Sequence, residues 1–200
     1  MTDFAARYGP WAVVAGASEG LGAAFARALA ARGLNLVLFA RRRDALDALA
    51  ASLGVEVRAV ALDLAQPDLA AAVADVVGDI DVGLLVYNAA YAPIGAFAEL
   101  PLADKLRAVD TNCRGPVTLA DALAPRLRRR GRGGIVLMSS LAGALGSPLV
   151  ATYAATKAFN LVLAEGLWDE LGQLGIDVIA CRAGATRTPN YEASQPVGKV

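Results

Sequence analysis

Residues 11–40 read WAVVAGASEGLGAAFARALAARGLNLVLFA, and the order of residue types in this stretch decides the fold. Trp11 to Ala15 is a short apolar run that leads into glycines. From Leu21 to Arg32 the pattern is helical and alanine-rich, and it stops at Gly33. Asn35 to Ala40 is a second apolar, partly β-branched run. A strand, a tight turn, a helix and another strand form the unit of a parallel sheet, because parallel neighbours need a crossover connection.

The same alternation continues along the chain. Asp44 to Leu53 reads as a helix closed by Gly54, and Val55 to Leu62 as a third strand. Leu69 to Val77 is a third helix and Val82 to Tyr87 a fourth strand. Pro101 to Arg130 reads mostly as one long helix, followed by a strand over Ile135 to Ser139. Thr152 to Leu174 is a second long helix, Ile176 to Cys181 a sixth strand, and Pro189 to Val200 a loose tail. Short apolar strands between helices predict a parallel sheet covered on both faces. Right-handed crossovers then give a doubly wound, Rossmann-type, three-layer α/β/α fold. No linker, repeat or low-complexity segment divides residues 1–200, which are expected to form one domain.

Composition narrows the chemistry. Nineteen basic and nineteen acidic residues balance, so nothing favours nucleic acid or an acidic membrane as a partner. There is no histidine, which excludes Ser-His-Asp triads, Cys-His dyads and His-ligated metals. No metal site is expected. Cys113 and Cys181 form no CxxC pair and are expected to be buried as small apolar groups. The arginines of 128–132 fall where a helix should end, and are expected to serve the dipole and solvent. Met1 to Tyr8 lacks an apolar run, and no stretch is long enough to cross a membrane, so the chain reads as cytoplasmic.

The first strand runs into AGASEGLG, with glycines at 16, 20 and 22. Such a turn lets backbone approach a pyrophosphate, and the following helix N-terminus supplies N–H donors and a favourable dipole. Gly16, Ser18, Gly20, Leu21 and Gly22 are therefore candidate cofactor contacts, although the spacing is G-x-x-x-G-x-G and not the commoner G-x-G-x-x-G. The second strand ends Ala40-Arg41-Arg42-Arg43 with no acid before Asp44, which is read as a helix cap. Arg41 offers a bidentate fork for a 2′-phosphate, which favours NADP over NAD.

In LVATYAATKAFN, Tyr153 and Lys157 stand four apart, on one helix face. A free phenol, with a pKa of about 10, is a poor base at neutral pH, but a nearby cation favours phenolate. Tyr-x-x-x-Lys is thus a workable acid–base unit. Ser139 and Ser140 close the fifth strand at the carboxyl edge, where ligands bind in such sheets. A serine hydroxyl there can bond a substrate carbonyl.

Taken together, these features resemble the short-chain dehydrogenase/reductase family over nearly the whole chain. The glycine turn, Asp63-Leu64, Asn88-Ala89-Ala90, Asn112 within TNCRG, Ser140, the Tyr153/Lys157 pair and Ala183-Gly184 with Thr188 follow the family's order. Ser140 stands thirteen residues before Tyr153, the family's usual separation, which prefers it to Ser139. The resemblance implies that Tyr153 exchanges a proton with the substrate oxygen and that Ser140 orients that oxygen. It implies that Lys157 lowers the tyrosine pKa and binds the nicotinamide ribose, and that Asn112 holds the long helix and a proton-relaying water. Asp63 and Leu64 would lie at the adenine, Asn88 in the cofactor cleft and Thr188 at the nicotinamide carboxamide.

The chain departs from the family at Ala15-Gly16, where Thr-Gly is usual and a hydroxyl that braces the Asn88 segment is lost. Tyr87-Asn88-Ala89-Ala90 replaces Asn-Asn-Ala-Gly, and Ala183-Gly184 replaces Pro-Gly. Family members usually continue with a covering helical segment and a seventh strand. Residues 1–200 stop soon after the sixth strand, so either a truncated or incomplete chain or an unusually short member, lacking that strand and lid, is expected. The opening residues are similar to the branch of hydroxysteroid dehydrogenases and long-chain 3-ketoacyl reductases, without that branch's membrane anchor. Tyr91, Leu141, Leu145, Pro148, Leu149 and Val150 are candidates for an apolar pocket suited to a ketoacyl or steroid-like substrate. A homodimer or homotetramer is expected. Two other readings remain: a sugar-nucleotide epimerase or dehydratase, disfavoured by the short chain, and a non-catalytic dinucleotide-binding or regulatory protein.

Overall fold

The structure is a computed structural model and describes residues 3–193. Six parallel strands form one sheet: β1 (Trp11–Ala15), β2 (Asn35–Ala40), β3 (Val57–Ala61), β4 (Val82–Tyr87), β5 (Gly133–Ser140) and β6 (Ile176–Ala183). Their order is β3-β2-β1-β4-β5-β6. The direction of winding reverses between β1 and β4, so a crevice opens at the carboxyl ends of these two strands.

Alternation along β1 separates two cores. Trp11, Val13 and Ala15 face one side, where they meet α4 (Leu69–Val77), α6 (Gly115–Arg130) and α7 (Ala151–Gly172). Ala12 and Val14 face the other, under α2 (Gly20–Ala30) and α3 (Arg43–Ala51). The strands are apolar almost throughout because both faces are covered, which is the doubly wound fold expected.

Three local details differ from expectation. Residues 101–130 are not one regular helix: α5 (Leu102–Val109) and α6 are joined by a π turn over Asp110–Arg114. There the Gly115 N–H reaches back five residues to the Asp110 carbonyl. Asp44 does not cap α3; Arg42 occupies the cap position without a side-chain bond, and Asp44 lies in the first turn, where a carboxylate suits the dipole. Two short helices were not foreseen, α1 (Phe4–Tyr8) and α8 (Pro189–Ala193). The second falls within the expected loose tail, of which residues 194–200 lie outside the described residues.

The arginines at the end of α6 do not all go to solvent. Gly131 closes the helix in the left-handed conformation. Arg130 turns inward, pairs with Asp81 and donates to the Gly9 carbonyl, leaving 8% of its side chain exposed. Cys113 and Cys181 are half-buried, not buried, because each lies near an element boundary. Among the described residues no helix is long and apolar enough to cross a membrane.

Candidate functional site

The crevice is built first from the glycine turn between β1 and α2. Gly16 has φ +81°, and a Cβ on it would stand 2.6 Å from the Ala89 backbone. A Cβ on Gly22 would come within 2.0 Å of the Gly16 carbonyl and 2.7 Å of the Asn88 amide. These two glycines let β1, β4 and the start of α2 close on one another. Gly20, with φ +55°, faces Thr188, whose methyl group would lie 2.8 Å from a Cβ placed there. The Thr188 hydroxyl accepts from the Tyr191 N–H at the start of α8, so the segment after β6 crosses the glycine turn.

The bracing hydroxyl lost at Ala15 has a substitute. The backbone N–H groups of Asn88 and Ala89 both donate to the Ala15 carbonyl at 2.9 Å, and the Asn88 amide donates to the Gly16 carbonyl at 2.8 Å. At the end of β2, Arg41 is exposed. Arg42, which sequence reasoning passed over, reaches back to the turn: its guanidinium pairs with Glu19 at 2.5 Å and lies 3.4 Å from the Ser18 hydroxyl. The only signal for it was the arginine run itself.

At the end of β3, Asp63 accepts from the Ala65 N–H at 3.1 Å and from Arg107 at 2.8 Å. Burial opposes its charge, but those donors outweigh it and hold the carboxyl below its usual range. Leu64, expected among the cofactor contacts, has its side chain buried in the core with α4 and α6, which leaves its backbone for such a contact, while the Asp63 side chain is half-exposed.

Beyond β4, Asn112 in the π turn is fully buried. Its carbonyl accepts from the Tyr91 N–H at 2.8 Å, and its amide donates to the Tyr91 carbonyl and the Thr156 hydroxyl. Thr156 in turn donates to the Tyr153 carbonyl at 2.7 Å. One side chain thus ties the loop after β4 to α7.

The end of β5 distinguishes the two serines. Ser139 is buried and donates to the Lys157 carbonyl at 2.7 Å, a structural bond. Ser140 accepts from the Ala142 N–H, and its hydroxyl stands close enough to the Tyr153 phenol to lower the phenol's pKa. Gly143 brings this turn onto α7, since a Cβ there would meet the Lys157 backbone at 2.7 Å. Sequence reasoning had no role for Gly143.

Tyr153 and Lys157 differ from expectation in one respect. Burial pushes the phenol pKa up, and the Ser140 hydroxyl only partly offsets this. The Lys157 ammonium lies over the ring, 5.7 Å from the centroid, and donates to the Met138 carbonyl at 2.8 Å. Four-residue helical spacing places a side chain beside a ring but does not specify which end. Burial brings Lys157 down to about 8. The phenol is therefore protonated at neutral pH and the lysine mostly charged.

The pocket wall expected from Leu141, Leu145 and Leu149 is open: these side chains are 59%, 81% and 46% exposed. Tyr91 donates its hydroxyl to Asp104 at 2.9 Å. Leu149 adopts φ +64°, a strained conformation for leucine, while its carbonyl accepts from the Gly95 N–H. Leu141, Leu145 and Leu149 thus give the segment between β5 and α7, which leads into Tyr153, an exposed apolar rim.

The short chain dehydrogenase family profile matches residues 10–196. A 7β-hydroxysteroid dehydrogenase of Clostridium sardiniense is 32% identical over 198 residues, covering 97% of this chain and 76% of that protein. A very-long-chain 3-oxoacyl-CoA reductase of Podospora anserina is 37% identical over 85% of this chain, which spans about half (53%) of its length. Among solved structures, a short-chain dehydrogenase from Sphingobium yanoikuyae in complex with NADPH superposes with a TM-score of 0.85 at 40% identity, covering 90% of this chain and 72% of that one. With the glycine turn, Asn112, Ser140, Tyr153 and Lys157 gathered at one end of such a sheet, the chain belongs to the short-chain dehydrogenase family of oxidoreductases.

Proposed function

We propose that this chain interconverts a bulky, apolar ketone and its secondary alcohol using NADP, with Tyr153 carrying the proton. The observation that carries this reading is the half-buried Tyr153 phenol, with Ser140 close enough to lower its pKa and the Lys157 ammonium 5.7 Å from its ring centroid, at the carboxyl end of the sheet where the glycine turn also lies. Gly20 keeps side-chain bulk away from the start of an eleven-residue helix, which fits a pyrophosphate. Arg41 at the end of β2, exposed and with no acid closing that strand, fits a 2′-phosphate, while Arg42 beside it is paired with Glu19. A bound nicotinamide ring supplies or takes the hydride.

The chain's own residues do the rest. Raised by burial, Tyr153 holds its proton at neutral pH and gives it to the carbonyl oxygen as that oxygen gains charge. The Ser140 hydroxyl donates to the same oxygen and then steadies the phenolate left behind. The Lys157 ammonium, 5.7 Å from the ring centroid, favours that negative phenolate over distance. Asn112 fixes α7 against the loop after β4, so these groups keep their relative places. The apolar rim of Leu141, Leu145 and Leu149 fits a steroid-like or long-chain ketoacyl substrate, in line with the names of the relatives.

The test is turnover of purified protein with NADPH or NADH and a panel of small, aryl, steroidal and long-chain ketones. NADPH-dependent reduction, strongest with the bulky members, is the expected result. Tight NADPH binding without turnover on any ketone would instead favour a non-catalytic dinucleotide-binding role. Replacing Arg41 by Ala should weaken NADPH about tenfold and NADH less than twofold; equal weakening would refute the NADP assignment.

A further inference from the structure

The π turn that carries Asn112 is held from below by a residue outside the site. We infer that Tyr87 is a positioning residue, whose hydroxyl pins this turn and through it sets Asn112. The inference rests on the catalytic reading above.

Tyr87 is the last residue of β4 and only 1% exposed. Its hydroxyl donates to the Thr111 carbonyl at 2.6 Å. Thr111 directly precedes Asn112, and both lie in the π turn. A turn closed over five residues loosens the regular ladder of helical bonds and offers carbonyls to other donors. A buried phenol must in turn find an acceptor. Each group therefore satisfies the other.

The approach depends on a second residue. A Cβ on Gly115 would fall 2.0 Å from the Tyr87 hydroxyl and 2.9 Å from the carbon that bears it. Only glycine at the end of the π turn lets the tyrosine through. Phenylalanine would fill nearly the same volume in this core, so packing alone does not call for the hydroxyl. Its contribution is the bond to Thr111. That bond fixes the turn whose next side chain bonds both Tyr91 backbone groups and Thr156.

The experiment compares wild type, Tyr87→Phe, Asn112→Ala and the double variant. Amide hydrogen exchange over residues 110–115 should speed up at least about fivefold in Tyr87→Phe, with exchange in β1 and β2 unchanged. Its kcat should fall about tenfold, as for loss of one buried bond, with KM and NADPH affinity within twofold. In the Asn112→Ala background the same change should cost no further kcat, because the two act through one turn. Unchanged exchange over 110–115 overturns the pin. Faster exchange with an additive loss of kcat overturns its link to Asn112 and leaves Tyr87 merely structural. Should wild type turn over no ketone at all, the catalytic reading fails separately, and exchange alone decides whether Tyr87 holds the turn.

Discussion

Both ends of the sheet carry partly exposed ion pairs, Arg107 with Asp63 and Arg42 with Glu19 among those at the carboxyl end, but the two ends differ in the polar side chains they bury. At the carboxyl end, Thr111, Asn112, Ser139, Thr156, Lys157 and Asn160 are the buried polar side chains among the described residues. Most bond to backbone carbonyls or to each other at 2.7–2.9 Å. At the amino end the polar contacts are arginine–aspartate pairs: Arg7 with Asp177, Arg58 with Asp79 and Arg130 with Asp81. In each pair the carboxylate keeps about half or more of its side-chain surface in water. Buried hydrogen bonds leave few alternative geometries, so they fix atoms at the expense of desolvation. Half-exposed ion pairs tolerate movement and contribute little. Buried polar bonds are therefore concentrated around Ser140, Tyr153 and Lys157, and substitutions should reveal that contrast from its strongest point downward.

The largest effect belongs to Tyr153→Phe. Removing one hydroxyl should lower kcat at least about a thousandfold, the upper part of the range for a general acid. NADPH affinity measured by fluorescence titration should stay within twofold. Equal loss of both would show that Tyr153 shapes the cleft and does not carry the proton.

Lys157 comes next, through pH. Its folded pKa, brought down to about 8 by burial, lies below the ordinary lysine value of about 10.4. Between these values the unfolded chain binds more protons, so wild-type stability should rise with pH across that window and be flat below it. The gain should amount to a few kcal/mol. Lys157→Met lacks the buried ammonium, so its urea-unfolding stability should not climb between pH 8 and 10. A parallel climb in both proteins would place the titrating group elsewhere.

Gly22→Ala should cost about 2–3 kcal/mol, because the new methyl has to displace the Gly16 carbonyl and the Asn88 amide. Cofactor affinity should fall with it, since the same atoms line the turn. A variant with wild-type melting temperature and weakened NADPH binding would show that the glycine serves the ligand alone.

These sites also show what could be read before the fold was in hand. The bounds of β1, β2, β4 and α4 coincide with the apolar runs in the sequence, because each run is buried on both faces or closed by glycine or a charged residue. Tyr153 and Lys157 were legible by type and spacing, Ser139 and Ser140 by their place at a strand end, and Asn112 and the choice of Ser140 only through the family resemblance; all lie at the carboxyl end of the sheet. The π turn was not legible, since widening a helix by one residue leaves its apolar pattern nearly unchanged. That the Leu64 side chain turns into the core was not legible, because a motif position says nothing of which neighbour faces the core. The Lys157–Met138 bond, the close seat of Gly143 and the reach of Arg42 to Ser18 all depend on pairings between distant segments. No local pattern encodes such pairings.

The smallest effect should come from the amino end, at Asp177. Arg7 and the Tyr8 hydroxyl both donate to its Oδ2 at 2.6 Å and, against modest burial, hold its carboxyl below the usual range. A depressed carboxylate pKa stabilises the fold above the unfolded value of about 3.9, and that contribution disappears as pH falls through the folded value. Asp177 keeps 47% of its side chain exposed, so solvent screens the pair and the effect should stay below about 1 kcal/mol. Asp177→Asn should thus be slightly less stable than wild type at pH 7, and the two denaturation curves should converge below about pH 3. Added salt at pH 7 should narrow the same gap, because exposed charges are screened. A gap that ignores both pH and salt would mean that Asp177 acts by shape or neutral hydrogen bonding. The amino end would then hold its polar groups as tightly as the carboxyl end, and the contrast between the two ends would fail.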